Sequence, residues 1–251
     1  MDNVVAALAA QQDDLSALVA PLDETGWQAA SRCEGWTVAD VVLHLAQTDE
    51  MAIASVQDRF AEAVAALIRG LGPAASVDEG AALMVDRERG EPGPVVFDRW
   101  QASADTLRRE LEACEPGRRV AWVAGELSAR TLATTRLAET WIHTGDVAFA
   151  FGREPAADDR LWHIARLAWR TLPYAFARAR RELSGPVAFE LAAPNGDTWH
   201  FMPEADPLTT VEGSAVELCT VAGQRANADD TELHGTGPDA AAVLEHVRTF
   251  A

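Results

Sequence analysis

The chain has 251 residues, of which 48% are hydrophobic, and it carries a formal net charge of −18. This length suits one large domain or a helical bundle with a small added module, and the hydrophobic content argues against disorder. The strong negative charge repels nucleic acid and anionic membrane surfaces, so we expect neither as a partner.

Apolar residues recur at helical spacing through most of the first 184 residues. Thr37 and Asp40 have the spacing of a capping box, which predicts that a helix begins just after Thr37. Residues 23–35 are predicted to form a polar loop, and residues 73–94 a loop around a short helix. The predicted helices cover residues 3–19, 38–68, 95–114, 128–151 and 158–183, the last interrupted at Pro173.

The pattern changes near residue 184, where apolar residues begin to alternate with a period of two. Asn195-Gly196 then predicts a type I′ hairpin turn between two strands. We therefore predict a mostly α protein: a helical bundle over residues 1–184, followed by a small α+β domain over residues 185–251. The predicted elements of that domain are strands 187–192, 198–202 and 209–212, and helices 215–222 and 239–250.

Three potential metal ligands occur in two of the predicted helices. Glu139 and His143 are four residues apart, so they share one helix face, and His44 lies on an earlier helix. Two histidines and one carboxylate can hold a catalytic divalent ion while leaving coordination positions open. Zinc, iron, nickel and manganese all suit this set of ligands.

Each potential ligand also has a structural interpretation. His44 flanks the apolar stripe of its helix, where a hydrogen-bonded histidine is common. Arg136, Glu139, His143 and Asp146 form a polar stripe, and such a stripe is often a solvated helix face. Bundle cores do hold inward carboxylate and imidazole ligands, and Asp146 could then orient a ligand histidine from behind.

Cys33, Arg225 and the remaining histidines are weaker candidates. Cys33 precedes a helix N-terminus, which would stabilise a thiolate, but a structural role is the simpler interpretation. Arg225 lies in a polar turn and could bind a carboxylate of the substrate. The three cysteines are widely spaced without a CxxC motif and the N-terminus lacks a basic signal-peptide region, so we expect reduced thiols in the cytoplasm.

Two segments together resemble the mycothiol-dependent maleylpyruvate isomerase family, which belongs to the DinB-like metalloenzyme superfamily. They are Cys33–His44, which reads CEGWTVADVVLH, and Arg136–Asp146, which reads RLAETWIHTGD. The resemblance implies a DinB-like four-helix bundle with a smaller C-terminal module, and zinc held by His44, Glu139 and His143. Residues 193–199 and 217–225 are similar to an uncharacterised actinobacterial branch of the family, which leaves the substrate open.

The resemblance further implies an enzyme that uses mycothiol as a cofactor and a small electrophilic metabolite as its substrate. A metal-bound thiolate would isomerise this substrate or transfer sulfur to it. Arg87, Arg89 and Arg225 are the candidates for the substrate-binding arginines of the family. The alternatives are a thiol-independent metal enzyme (an isomerase, lyase or cyclase) and a metal-binding protein without turnover.

Overall fold

The computed structural model describes residues 2–123 and 125–249, and the chain divides into two compact units, Met1–Pro155 and Ala156–Ala251. The first is mainly helical, and the second combines helices with a four-stranded sheet, which confirms the predicted fold class. The boundary between the two units in the chain follows Pro155, whereas the sequence pattern predicted it after residue 184. Helices in that interval pack on elements that follow residue 184, so they belong to the second unit.

Four long helices, α1, α3, α6 and α7, form the bundle of the first unit. Helix α3 packs against α6 and α7, and α1 packs against the same two helices. The elements of this unit are α1 Asp2–Val19, α2 Glu24–Trp27, α3 Val38–Val56, α4 Phe60–Leu67, α5 Val77–Glu88, α6 Gly93–Ala113, β1 Arg119–Val120, β2 Leu127–Ser128 and α7 Ala129–Phe149.

Buried aliphatic and aromatic side chains fill the space between these helices. Leu15 of α1, Leu45 of α3 and Trp100 of α6 belong to one continuous core cluster, and each is at most 1% exposed. None of the described helices has both the length and the apolar character needed to cross a membrane.

The predicted capping box at the start of α3 is confirmed. The Asp40 N–H donates to Thr37 Oγ1 across 3.2 Å, and the Thr37 N–H donates to Asp40 Oδ2 across 2.9 Å. These bonds satisfy backbone donors that the first helical turn leaves without partners. They fix where α3 begins, and therefore which of its residues face the bundle interior.

One predicted helix boundary in the first unit was wrong. Helix α3 ends at Val56 and does not continue to Ile68, because Asp58 adopts a left-handed conformation with φ of 59°. A new helix, α4, then begins at Phe60. Residues 73–94, predicted as a loop around a short helix, contain the 12-residue helix α5 with non-helical residues on both sides, as predicted.

Among its described residues, the second unit has a four-stranded sheet, four α-helices and one short 3-10 helix, Ala228–Asp230. The strand order is β4-β3-β5-β6, with β3 and β5 parallel and the two outer pairings antiparallel. Helix α8 packs on α10 and β4, and α11 packs on β5, β6 and α9. Its elements are α8 Leu161–Arg170, α9 Leu172–Arg178, β3 Val187–Ala192, β4 Thr198–Phe201, β5 Thr209–Ser214, α10 Ala215–Ala222, β6 His234–Thr236 and α11 Ala240–His246.

The hairpin between β3 and β4 has a different turn from the one predicted. The Gly196 N–H donates to the carbonyl of Ala193 across 3.0 Å, so Pro194 and Asn195 are the central residues of the turn. Only Gly196 in this turn has a positive φ, at 91°. A type I′ turn at Asn195-Gly196 would require a positive φ at Asn195 as well, so that prediction was wrong.

Candidate metal centre

The three predicted ligands lie together between α3 and α7. Glu139 Oε2 is 4.0 Å from His44 Nε2 and 3.7 Å from His143 Nε2. One nitrogen of each histidine and one carboxylate oxygen lie within 4.8 Å of one another. The imidazole rings of His44 and His143 meet edge to face, with their centroids 4.9 Å apart. Helix α3 supplies one donor and successive turns of α7 supply the other two.

The polar stripe of α7 faces the interior of the bundle. Arg136 and Asp146 are 1% and 0% exposed, and His143 is 7% exposed. The Glu139 side chain is 24% exposed to solvent. A solvated helix face would leave these side chains largely open to water, so burial excludes that alternative.

Burial and local charge set the protonation states of two of the potential ligands. Burial lowers the pKa of His44 to about 4, and its contact with Glu139 offsets this only in part. Burial alone would raise the pKa of Glu139, but His44, His143 and Arg136 outweigh it and lower this pKa to about 2. At neutral pH the pair is therefore a neutral imidazole and a carboxylate, the forms in which these groups bind a metal ion.

A second group of polar side chains contacts His143 on the side of Nδ1, the ring nitrogen that does not face Glu139. His143 Nδ1 lies 2.9 Å from Asp146 Oδ2, so an N–H on Nδ1 donates to this carboxylate and leaves Nε2 as the electron-pair donor. The Cys33 thiol donates to the same oxygen, with Sγ 3.2 Å from Oδ2. Asp146 thus contacts both His143 and Cys33 through one carboxylate oxygen.

His44 has a different environment. Its ring lies beside that of Trp36, with centroids 5.3 Å apart. Its Nδ1 is buried and has no hydrogen-bond partner among the described residues. The CEGW segment that precedes α3 therefore contacts both histidines, through Trp36 on one side and through Cys33 and Asp146 on the other. Helical periodicity could not reveal these contacts, because Cys33 and Trp36 lie in a loop.

The three arginines that are candidates for binding the substrate have partners outside the group of three potential ligands. Arg225 lies in the second unit, after α10, where its Nη1 donates to the Gly223 carbonyl across 3.0 Å. Arg89 contacts Asp40 and Asp86. Arg87 contacts Glu88. Two potential ligand groups occur among the described residues, and the four remaining histidines belong to neither of them: His163, His200, His234 and His246.

The donor set of His44, Glu139 and His143 fits a divalent metal ion. Zinc ligands at about 2.0–2.2 Å from the ion lie about 3.3 Å apart in a tetrahedron. The two distances to Glu139 Oε2 are somewhat wider, and small side-chain rotations would close them. Three protein ligands leave a fourth position for a water, a thiol or a substrate oxygen, which is the arrangement of a catalytic site and not of a structural one.

Comparisons with known proteins agree on one family. The profile described as the mycothiol maleylpyruvate isomerase N-terminal domain matches residues 8–148. Uncharacterised proteins from two strains of Mycobacterium tuberculosis are 37% identical to this chain over 250 residues, covering 98% of this chain and 95% of theirs.

Solved structures of mycothiol-dependent maleylpyruvate isomerase and of a mutant of that protein have a similar fold. Their TM-scores are 0.60 and 0.61, and each comparison covers 94% of this chain and 92% of the other. The sequence identities are 17% and 16%, so the likeness establishes the fold and not a shared substrate.

Proposed function

The chain belongs to the mycothiol maleylpyruvate isomerase family, and on that premise we propose that it is a metal-dependent, thiol-using enzyme. Zinc is the expected ion, and mycothiol or a related small thiol is the expected cofactor. The substrate is a small electrophilic metabolite that is isomerised or receives the sulfur. The observation that carries the proposal is the convergence of His44, Glu139 and His143 in the bundle interior.

The side chains have separate roles in this proposal. His44, Glu139 and His143 hold the ion. Asp146 accepts a hydrogen bond from the Nδ1–H of His143 and so directs Nε2 toward the ion. Glu139 supplies the negative charge that partly neutralises a divalent cation, and its low pKa keeps that charge at neutral pH.

Access to the site follows from burial. Only 9% of each histidine side chain is exposed, whereas Glu139 keeps 24%, so a ligand reaches the donors from the Glu139 side. A zinc ion held here would bind the sulfur of a thiol and lower its pKa, which makes a thiolate available at neutral pH. Restricted access protects a reactive thiolate and its electrophilic partner from water.

Arg225 is proposed to bind a carboxylate of the substrate. A guanidinium can pair with a carboxylate through two parallel hydrogen bonds, which an ammonium cannot reproduce. Replacing Arg225 with Lys should therefore raise KM for a carboxylate substrate while leaving the metal content unchanged. An unchanged KM would remove Arg225 from the substrate site.

The reaction is proposed to take place in the cytoplasm, where small thiols are kept reduced. All three cysteines lie in the described part of the chain, and no disulfide joins any two of them. Two of the three, Cys114 and Cys219, are buried, and burial raises the pKa of the Cys219 thiol well above its usual range. Burial keeps these two thiols away from a substrate, so neither is proposed as the nucleophile.

Elemental analysis of protein purified without a metal-affinity tag is the first test. About one zinc or other divalent ion per chain is expected for a site with three protein ligands. The loaded protein should then consume activated double bonds or other electrophiles only when a small thiol is present. Metal-dependent turnover without any thiol would favour the thiol-independent alternative. A protein that cannot be loaded with any divalent ion would refute the proposal.

A further inference from the structure

The loop before α3, residues 31–36, is attached to α7 at Asp146. The Arg32 N–H donates to the Asp146 carbonyl across 3.1 Å, and the Cys33 thiol donates to the Asp146 carboxylate. The loop is closed on itself by Ser31, whose N–H donates to the Trp36 carbonyl across 3.0 Å and whose hydroxyl accepts from the Cys33 N–H across 3.1 Å. Cys33 is therefore held in place by backbone bonds on both sides.

Asp146 Oδ2 accepts from two donors at once. The thiol of Cys33 lies 3.2 Å away and Nδ1 of His143 lies 2.9 Å away. The Asp146 side chain is only 1% exposed, so hydrogen bonds from the protein must replace the water that a carboxylate binds in solution. The thiol is one of these donors.

We propose that Cys33 is a positioning residue of the metal centre, acting through Asp146 on His143. This inference rests on the proposed function, because it concerns how the ligand set is held. By donating to Asp146, the thiol fixes the carboxylate oxygen that accepts the hydrogen bond from His143. The ring of His143 then keeps Nε2 directed at Glu139 and His44.

The geometry favours this role over direct metal binding by Cys33. Cys33, His143 and Asp146 do form a group of potential ligands. However, an ion held by them would have to bind Nδ1 of His143 while the proposed ion binds Nε2 of the same ring. That arrangement requires an imidazole stripped of both ring protons. Two hydrogen bonds to Asp146 Oδ2 explain the same distances without that cost.

The same loop also contacts the other histidine. Trp36 follows Cys33 by three residues in this loop, and its ring packs beside His44. A substitution at Cys33 is therefore expected to displace mainly His143 of α7. It should affect His44 of α3 only through the loop backbone.

Zinc affinity, measured by competition with a chromophoric chelator, tests the inference on the full-length protein. Cys33→Ala removes the donor and should weaken zinc binding about three- to tenfold, the effect of one modest hydrogen bond. Cys33→Ser retains an O–H donor and should restore the affinity to within about twofold. Cys114→Ala is the matched control: it deletes a buried cysteine of the same unit, and no change in affinity is expected.

A double-mutant cycle separates positioning from general destabilisation. Asp146→Ala should weaken zinc binding about 10–100-fold, as expected for the partner of a ligand histidine. In that background Cys33→Ala should have no further effect, because its target is gone. Independent, additive losses would overturn the inference, as would a Ser variant that binds zinc as poorly as the Ala variant.

Substitution with cobalt gives a spectroscopic check. No sulfur-to-cobalt charge-transfer band is expected in the near ultraviolet, because the thiol donates to Asp146 and does not ligate the ion. A band that disappears in Cys33→Ser would show that Cys33 is a ligand and would overturn the positioning role. If the wild-type protein takes up neither zinc nor cobalt, the proposed function fails; if it binds zinc and Cys33→Ala binds it equally well, only this inference fails.

Discussion

Arg136 and Asp49 form an ion pair in the interior of the helical unit, with Nε 2.9 Å from Oδ1 and side-chain exposures of 1% and 0%. Burial raises the pKa of Asp49, and Arg136 opposes that shift. Arg136 precedes Glu139 by one helical turn, and its charge is one of the contributions that keep the carboxyl group of Glu139 ionised. The pair thus connects the packing of α3 on α7 with the charge of a proposed metal ligand.

Replacing one partner of this ion pair should destabilise the fold more than replacing both partners with apolar residues. Asp49→Leu leaves the Arg136 guanidinium buried without its partner, and a loss of about 3–5 kcal/mol in the free energy of unfolding is expected. Nη2 of Arg136 and Oδ2 of Asp49 have no hydrogen-bond partner among the described residues, so the pair is itself imperfectly satisfied. The double variant Asp49→Leu/Arg136→Met should therefore recover most of the loss. Urea unfolding of Asp49→Leu, Arg136→Met and the double variant measures both effects.

The matched control is an ion pair at the surface of the same unit. Arg118 contacts Asp58, whose side chain is 77% exposed. Arg118→Ala should leave the urea midpoint almost unchanged, because exposed pairs contribute little. Additive losses in the Asp49/Arg136 double variant would show that the two side chains do not stabilise the fold as a pair.

Replacing any of the three proposed ligands should abolish metal binding without unfolding the protein. His44→Ala and His143→Ala each remove an imidazole, and Glu139→Gln keeps the shape of the side chain but removes its charge. Elemental analysis after dialysis should find only background metal in all three, with near-native circular dichroism. His200→Ala is the control, since His200 is an exposed histidine that faces Glu190 across 4.0 Å. Full metal content in His44→Ala would remove His44 from the site.

The metal-free protein should lose stability as the pH falls from about 6.5. Burial lowers the pKa of His44 from 6.5 to about 4, so the unfolded chain binds its proton first. This contribution to stability is complete above pH 6.5 and lost by about pH 4, and it amounts to about 3 kcal/mol. The pKa of Glu139 is lowered from 4.5 to about 2 despite burial, because nearby groups favour the carboxylate, and its contribution is lost between those values.

The free energy of unfolding, measured at a series of pH values in excess chelator, checks this prediction. The Gln side chain of His44→Gln does not titrate, so its curve should be flatter between pH 6.5 and 4. The loss below pH 4.5 should remain but be smaller, because His44 is one of the groups that lower the pKa of Glu139. A wild-type protein whose stability rose on acidification over that upper range would contradict the neutral, buried state of His44.

Local sequence signals predicted much of this fold because they act over one or two helical turns. The capping box at Thr37 and Asp40 fixed the start of α3, and apolar spacing predicted α1, α6 and α7. The end of α3 was missed because it depends on the left-handed conformation of Asp58, which the spacing of apolar residues does not reveal. Strand β6 has only three residues, too few for any periodicity to show.

Spacing and residue type predicted which side chains could bind a metal ion, but not that these side chains lie in the bundle interior. Spacing placed Glu139 and His143 on one face of α7, but it could not tell whether that face meets water or α3. A polar face in the interior and a polar face at the surface have the same period. The contacts of Cys33 with Asp146 and of Trp36 with His44 join residues distant in sequence or in a loop, and they depend on tertiary packing.

A close contact at the start of α6 provides a test of packing away from the metal centre. Gly93 is buried in the first turn of α6, and a Cβ placed there would overlap ring atoms of Trp27. Trp27 is 2% exposed and belongs to the core cluster that includes Leu45 of α3. The absence of a side chain at Gly93 is therefore what allows the Trp27 ring to pack against α6.

Gly93→Ala should lower the free energy of unfolding by about 1–3 kcal/mol, the usual effect of overfilling a packed core. Ala is the better helix former, so the sign of the change separates packing from helix propensity. Gly72→Ala is the control, because a Cβ there meets nothing within 4 Å. In a Trp27→Phe background the smaller ring leaves room for the added methyl group, and Gly93→Ala should then cost clearly less. Equal costs in both backgrounds would mean that the Trp27 ring does not limit the space at Gly93.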